Sequence, residues 1–257
     1  MRTFVDISVP LRTGIASDVP GLLPEISYLG HSETVGDLLS IFPGATKEDL
    51  PNGEGWAFEW VKMTTHAGTH VDAPWHYAST MDNGERAITI DEVPLEWFLQ
   101  PGVKLDFRQL PDGHVVTPAD IDAELARIGH TLSPLEIVVV NTAAGTRYGE
   151  DDYVSRGCGV GREGTLHLLD QGVRVVGTDA WSWDAPFVHT AKRYAEHGDP
   201  SVIWEGHKAG RERCYCQVEK LHNLEALPPT GFQVACFPAK VHAASGSWTR
   251  AVAIFDS

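Results

Sequence analysis

The chain is short of positive charge and of sulfur. Twenty Lys and Arg stand against 35 Asp and Glu, a formal net charge of −15 with histidine neutral. Nucleic acid and anionic membranes reward a basic surface, so this balance sets both aside as partners. Only four cysteines occur, Cys158, Cys214, Cys216 and Cys236. The close pair, Cys214-x-Cys216, has the spacing of neither a zinc knuckle nor a redox CxxC, so reduced thiols in a cytoplasmic protein are expected. No apolar run approaches the ~20 residues of a membrane span. The opening Met1-Arg2-Thr3-Phe4-Val5-Asp6 lacks the apolar core of a signal peptide. Repeats, low-complexity tracts and composition shifts are also missing, so residues 1–257 read as one domain. With 42% hydrophobic and 21% charged residues, a chain of this length can bury a full core.

What the chain does have is histidine in an unusual pattern. His66-Ala67-Gly68-Thr69-His70-Val71-Asp72-Ala73-Pro74-Trp75-His76 places four potential ligands or bases at even separations. In an extended segment that spacing puts all four on one face. A helical zinc-protease motif would need Glu after the first His, where Ala67 stands. Gly68, Thr69, Val71 and Pro74 also disfavour a helix. The stretch reads as a strand running into a turn at Ala73-Pro74. Imidazole and carboxylate suit zinc, manganese or iron. A histidine-rich surface loop is the bland alternative, but three His and an Asp interleaved with Gly and Pro favour a metal site.

Along the chain, Phe4 to Pro10 reads as a first strand. Residues 11–54 are rich in Gly, Pro, Ser and Asp, with a helical hint at Val35 to Ile41. Trp56, Phe58 and Trp60 alternate on a strand leading toward His66. Trp60, just upstream of the histidines, and Trp75, beside His76, are candidate walls of a substrate pocket, although core packing is the ordinary fate of such rings. Val103 to Phe107 is a short strand. Thr117-Pro118 opens a helix that Gly129 stops. Ile137-Val138-Val139-Val140 suits a strand covered on both faces. A helix over 162–171 and the strand Val173 to Gly177 follow, then a broken helix from Pro186 to Gly198 with solvated His189 and His197. Phe232 to Phe237 and Ala251 to Phe255 close the chain through a turn containing Gly246.

Gly159-Val160-Gly161-Arg162-Glu163-Gly164 matches the dinucleotide fingerprint, with Asp179 where the ribose-binding acid would fall. The fingerprint must follow a buried strand, and residues 150–156 are polar and charged, so nucleotide binding is set aside. Asp179, Ser182 and Asp184 lie just past a strand end, where functional groups gather in α/β folds. Capping of the turn would explain the two Asp equally well. His207 and Glu219, taken alone, read as surface residues.

The stretch HAGTHVDAPWH resembles the signature of the metal-dependent cyclase family, whose members include kynurenine formamidases and isatin hydrolases. The opening Val5-Asp6-Ile7-Ser8, the segment Gly177-Thr178-Asp179…Ser182…Asp184 and the late Glu219-Lys220-Leu221 extend the resemblance along most of the chain. It implies an α/β fold of the swivelling β/β/α type, with a mixed sheet or barrel-like core and peripheral helices. A homodimer in which one subunit contributes to the other's pocket is also implied. By resemblance His66, His70 and Asp72 bind a divalent metal, manganese or zinc, and His76 is the catalytic histidine. Formamidases of the family hold a second metal bridged by the Asp and bound by a later His and Glu, which His207 and Glu219 match in order and spacing. Extra sequence in 11–54 and 145–165, with Trp181 and Trp183, looks more like isatin hydrolase.

The expected function is metal-dependent hydrolysis of an amide C–N bond, with isatin or a similar small aromatic amide as substrate. The alternatives are an arylformamidase of tryptophan catabolism, acting on N-formylkynurenine, and a non-catalytic metal-binding member of the family. No obvious Arg cluster would receive the amino-acid end of N-formylkynurenine, which tilts the expectation to isatin.

Overall fold

The protein is described by a computed structural model covering residues 1–256. The run of β-branched residues at Ile137–Asn141 forms a wholly buried strand at the middle of a nine-stranded sheet. Side chains alternate across a strand, and here the alternation feeds two cores. Val138 and Val140 pack with Val103, Leu105 and Val176 on one face. Ile137 and Val139 pack with Val175 and Val218 on the other.

The sheet runs in the order Thr3–Asp6, Val252–Phe255, Phe232–Ala235, Leu99–Asp106, Ile137–Asn141, Val175–Thr178, Cys216–Glu219, His70–Asp72 and Gly246–Trp248. The strands from Leu99–Asp106 to Cys216–Glu219 are mutually parallel. Their flanks are antiparallel. Helices Pro118–Ile128 and Arg162–Asp170 cover one face through Ile121, Leu125, Leu168 and Leu169. On the opposite face Val71, near one end of the sheet, shares a core with Val234 and Ala253, near the other. Both ends bury their apolar side chains in that core, and the sheet curls into a half-barrel. The expected α/β fold around a barrel-like sheet is thus present.

Local signals explain several elements. Thr117 Oγ1 accepts from Asp120 N at 3.3 Å, Asp120 answers to Thr117 N at 2.9 Å, and Gly129 ends the helix at φ 68°. Helix Val35–Ile41 lies where its weak periodicity predicts. Three expectations are corrected. The helix Phe187–His197 is unbroken, because Pro186 sits outside it as N-cap, where the missing N–H does no harm. Gly246 is no turn residue; it opens the strand Gly246–Trp248 beside His70–Asp72. The Phe58–Lys62 strand leaves the main sheet and pairs with Glu25–Leu29 in a separate two-stranded ribbon.

Candidate metal centre

Four residues expected on one strand face reach the site from three different backbones. Only His70–Asp72 is strand. His66 lies in the preceding turn, where Gly68 adopts φ +62° and a Cβ would stand 2.5 Å from the Leu11 side chain. Pro74 opens the short helix Pro74–Tyr77, which carries His76 back over the site. Pairing of His70–Asp72 with Cys216–Glu219 sets Glu219 opposite His70. His207 arrives on the short helix Glu205–Lys208, entered through Trp204 at φ 56°.

These six side chains converge on Asp72, which is fully buried. Asp72 Oδ1 lies 2.6 Å from His66 Nδ1 and 3.2 Å from His70 Nε2. Its Oδ2 is 3.8 Å from His207 Nε2. Glu219 completes the ring, with Oε2 3.6 Å from His70 Nε2 and Oε1 3.6 Å from His207 Nε2. His76 stacks over His66 with ring centroids 4.1 Å apart. Potential ligand atoms of His66, Asp72 and His76, and of His70, Asp72 and Glu219, each fall within 4.8 Å of one another. Two groupings of potential ligand atoms, one of them including His76, therefore share the Asp72 carboxylate.

The surroundings aim the imidazoles. His70 Nδ1 donates to the Gly68 carbonyl at 2.8 Å, which leaves Nε2 for the site. His207 Nδ1 bonds Asp184, whose Oδ1 also accepts from Gly206 N at 2.7 Å, so Nε2 of His207 faces Asp72 and Glu219. A carboxylate or carbonyl behind each imidazole is the arrangement that orients metal-binding histidines. Asp184 thus does more than cap a turn. Trp183 N donates to Glu219 Oε1 at 2.9 Å and fixes that carboxylate in turn.

Burial would raise the Asp72 carboxyl, but the imidazoles of His70, His76, His207 and His66 hold it well below its usual range. Glu219 is pushed up, by burial first and then by the charge of Asp72. Burial pushes His76 down to about 4, against the pull of Asp72, so its imidazole is neutral at pH 7. Burial pushes His207 down as well, but its bond to Asp184 and the nearby carboxylates of Asp72 and Glu219 outweigh that and raise it to about 10. Two buried carboxylates this close disfavour each other unless a positive charge intervenes. His70 Nε2 and Asp72 Oδ2 are also buried without any hydrogen-bond partner, a costly arrangement for polar atoms. Both observations, and the oxygen and nitrogen donor set, fit a divalent cation.

The centre lies in the wall of a cleft of about 350 Å³. Trp181, Trp204 and Phe187 line it, and Trp204 stacks on His207 at 4.4 Å. Trp60 and Trp75, the rings singled out by proximity in sequence, are not among its lining residues. Trp60 is 69% exposed on the outlying ribbon, and Trp75 points outward from the short helix at 42% exposed. Neighbours in sequence diverge here because the turn at His66 and the helix at Pro74 redirect the chain. Asp18, Trp204 and Lys220 line the cleft without having been singled out. Of these, only Lys220 carried a sequence signal, as the immediate neighbour of Glu219.

Asp179 sits elsewhere. Buried, it accepts from Asn141 Nδ2 at 2.6 Å and from Thr142 N and Oγ1 at 2.9 and 2.8 Å, tying two strand ends together. The glycine-rich match is explained by packing. A Cβ on Gly159 would stand 2.0 Å from Ala185 N, and Glu205 accepts from Arg162 N at 3.2 Å, at the helix start where a pyrophosphate would sit.

Residues 5–185 match the putative cyclase family. The chain belongs to that family, as its histidine signature suggested. Its fold is similar to an isatin hydrolase solved with the product analogue thioisatinate, at 20% identity and a TM-score of 0.76, covering 100% of this chain and 93% of the other. Isatin hydrolase A from Labrenzia aggregata, solved with benzyl benzoate, matches at 22% identity and a TM-score of 0.72, with 100% and 94% covered. A potential metal-dependent hydrolase with cyclase activity matches at 18% identity and a TM-score of 0.67 over the whole of both chains. At these identities the likeness is one of fold.

Proposed function

We propose that the protein is a cytoplasmic metal-dependent amidohydrolase that opens the cyclic amide of isatin or a similar small aromatic compound. The observation that carries the reading is the convergence of His66, His70, His207, Glu219 and Asp72 beneath a free, neutral His76. His66, His70 and Asp72 would hold manganese or zinc, with His207 and Glu219 available to a second ion sharing Asp72. Such a cation would acidify a bound water and polarise the substrate carbonyl.

His76 takes the proton of the attacking water as its oxygen bonds the amide carbon. It returns that proton to the ring nitrogen as the C–N bond breaks, leaving an aryl amine and a carboxylic acid that ionises by releasing the water's second proton to solvent. Asp72 serves the cation rather than the proton, since an ionised carboxylate only accepts. Trp181 and Trp204 give a flat bicycle two aromatic walls. Arylformamidase activity is the second reading, favoured by His207 and Glu219 in the places the resemblance assigns to a second metal. A spectrophotometric assay of manganese- or zinc-loaded protein on isatin beside N-formylkynurenine separates the two. Turnover of neither would sink both.

We also propose a homodimer. The ribbon of Glu25–Leu29 and Phe58–Lys62 leaves Tyr28 67%, Trp60 69% and Val61 49% exposed. Tyr28 and Val61 share one face of the ribbon and Trp60 lies on the other, so apolar side chains stand uncovered on both, which favours association.

A further inference from the structure

The segment 11–24 has no regular secondary structure beyond turns and a bridge at Ala16, yet it delivers two residues to the reaction cleft, Leu22 and the charged Asp18. Asp18 lines that cleft with its side chain only 4% exposed. Its Oδ1 is doubly engaged, accepting from Trp181 Nε1 at 2.8 Å and from Lys220 Nζ at 2.5 Å. Lys220, itself 2% exposed, is fixed by a second bond to the His66 carbonyl at 3.0 Å and by the Trp181 ring 5.7 Å away. The other carboxylate oxygen, Oδ2, is buried and has no partner in the protein.

A buried acceptor left without a donor is costly, and more so when it belongs to a carboxylate. Lys220 and Trp181 hold Asp18 through one oxygen, and no group of the protein answers the other, on a residue that lines the cleft. Both of these neighbours line the same cleft as His66, His70 and His76. We propose that Asp18 is a specificity-determining residue, whose Oδ2 accepts a hydrogen bond from an N–H donor on the substrate. The inference rests on the amide-hydrolase reading and narrows it: the preferred substrates are aryl amides that keep a hydrogen on nitrogen.

Isatin has one N–H, and N-methylisatin has none, so the pair isolates the contact. Manganese-loaded wild type should favour isatin in kcat/KM, and Asp18→Asn, which replaces the acceptor by an amide donor, should reduce that preference about tenfold or more. The loss should appear in KM for isatin with metal content near wild type, while the melting temperature falls because Lys220 loses its buried partner. Comparing the two ratios cancels the intrinsic effect of the methyl group. Asp18→Ala provides the same comparison should the amide prove unfoldable. If N-formylkynurenine alone is turned over, formanilide and N-methylformanilide form the corresponding pair. An unchanged ratio in both variants would overturn the role of Asp18 and leave the amide reading standing. Inactivity of the wild type on all five compounds would overturn both.

Discussion

At the scale of single residues, the site is organised by what stands behind each ligand. His76 differs from the other imidazoles in having no carboxylate or carbonyl fixing it, which suits a group that must accept and release a proton. His76→Ala should lower kcat by about 10²–10⁴-fold with metal content unchanged. Retained turnover would remove His76 from the chemistry. Asp179 yields a prediction unrelated to catalysis. Burial lifts its carboxyl from 3.8 to about 7, against the donors Thr142 and Asn141. A raised carboxyl stabilises the fold fully below its ordinary value, progressively less as the pH rises toward 7, and no further change follows above that. Relative to Asp179→Asn, the wild type should lose at most roughly 4 kcal/mol of stability between pH 4 and 8, by denaturant titration. A pH-independent difference would show that the carboxyl titrates normally.

At the scale of elements, legibility in the sequence followed the range of the forces. The helix Pro118–Ile128 was readable to its caps because Thr117, Pro118 and Gly129 act within a few residues. The strand Ile137–Asn141 was readable because burial on both faces demands an unbroken apolar run. That His66, His70, Asp72 and His76 could serve as ligands or bases was readable from their types and spacing, but not how they meet. That depends on a turn at Gly68, a helix at Pro74 and strand partners distant in sequence. Gly246 marks the limit most clearly. As a lone glycine it reads as a turn, yet its place on the edge strand brings a hypothetical Cβ to 2.8 Å from His66 Cε1, 2.8 Å from Val71 O and 3.1 Å from Asp72 Oδ1. Gly246→Ala should therefore displace the ligands, costing about 1–3 kcal/mol of stability and weakening metal affinity about 10- to 100-fold by calorimetry. A fully loaded, equally stable variant would show that the strand yields freely.

At the scale of the whole molecule, the cleft and the outlying ribbon are separate parts of the chain. Trp181, Trp204 and Phe187 line the cleft, and Trp60 stands outside it on a ribbon with little core of its own. A two-stranded ribbon is marginal in water unless something packs against it. Sedimentation at micromolar concentration should therefore give twice the 28.1 kDa chain mass, and Trp60→Ser should shift the protein toward monomer. A monomeric wild type would dismiss the dimer.

Metal removal tests how far the centre also holds the fold together. Asp72, Glu219, His70 and His207 are buried at the junction of the strands His70–Asp72 and Cys216–Glu219 with the helix Glu205–Lys208. Without a cation, two carboxylates there must share protons drawn from their imidazole neighbours. A ligand that binds only the folded state adds about 2.7 kcal/mol when present at a hundred times its dissociation constant. Chelated protein should thus melt several degrees lower, and manganese or zinc should restore the melting temperature. The gain should shrink as the pH falls, because protons compete for the same imidazoles and carboxylates. Hydrogen exchange should locate the loosening at His70–Asp72 and Glu205–Lys208 rather than at Ile137–Asn141, which is held by packing and by its ladders to Leu99–Asp106 and Val175–Thr178. Identical melting with and without metal would mean that His66, His70, Asp72, His207 and Glu219 do not form a cation site.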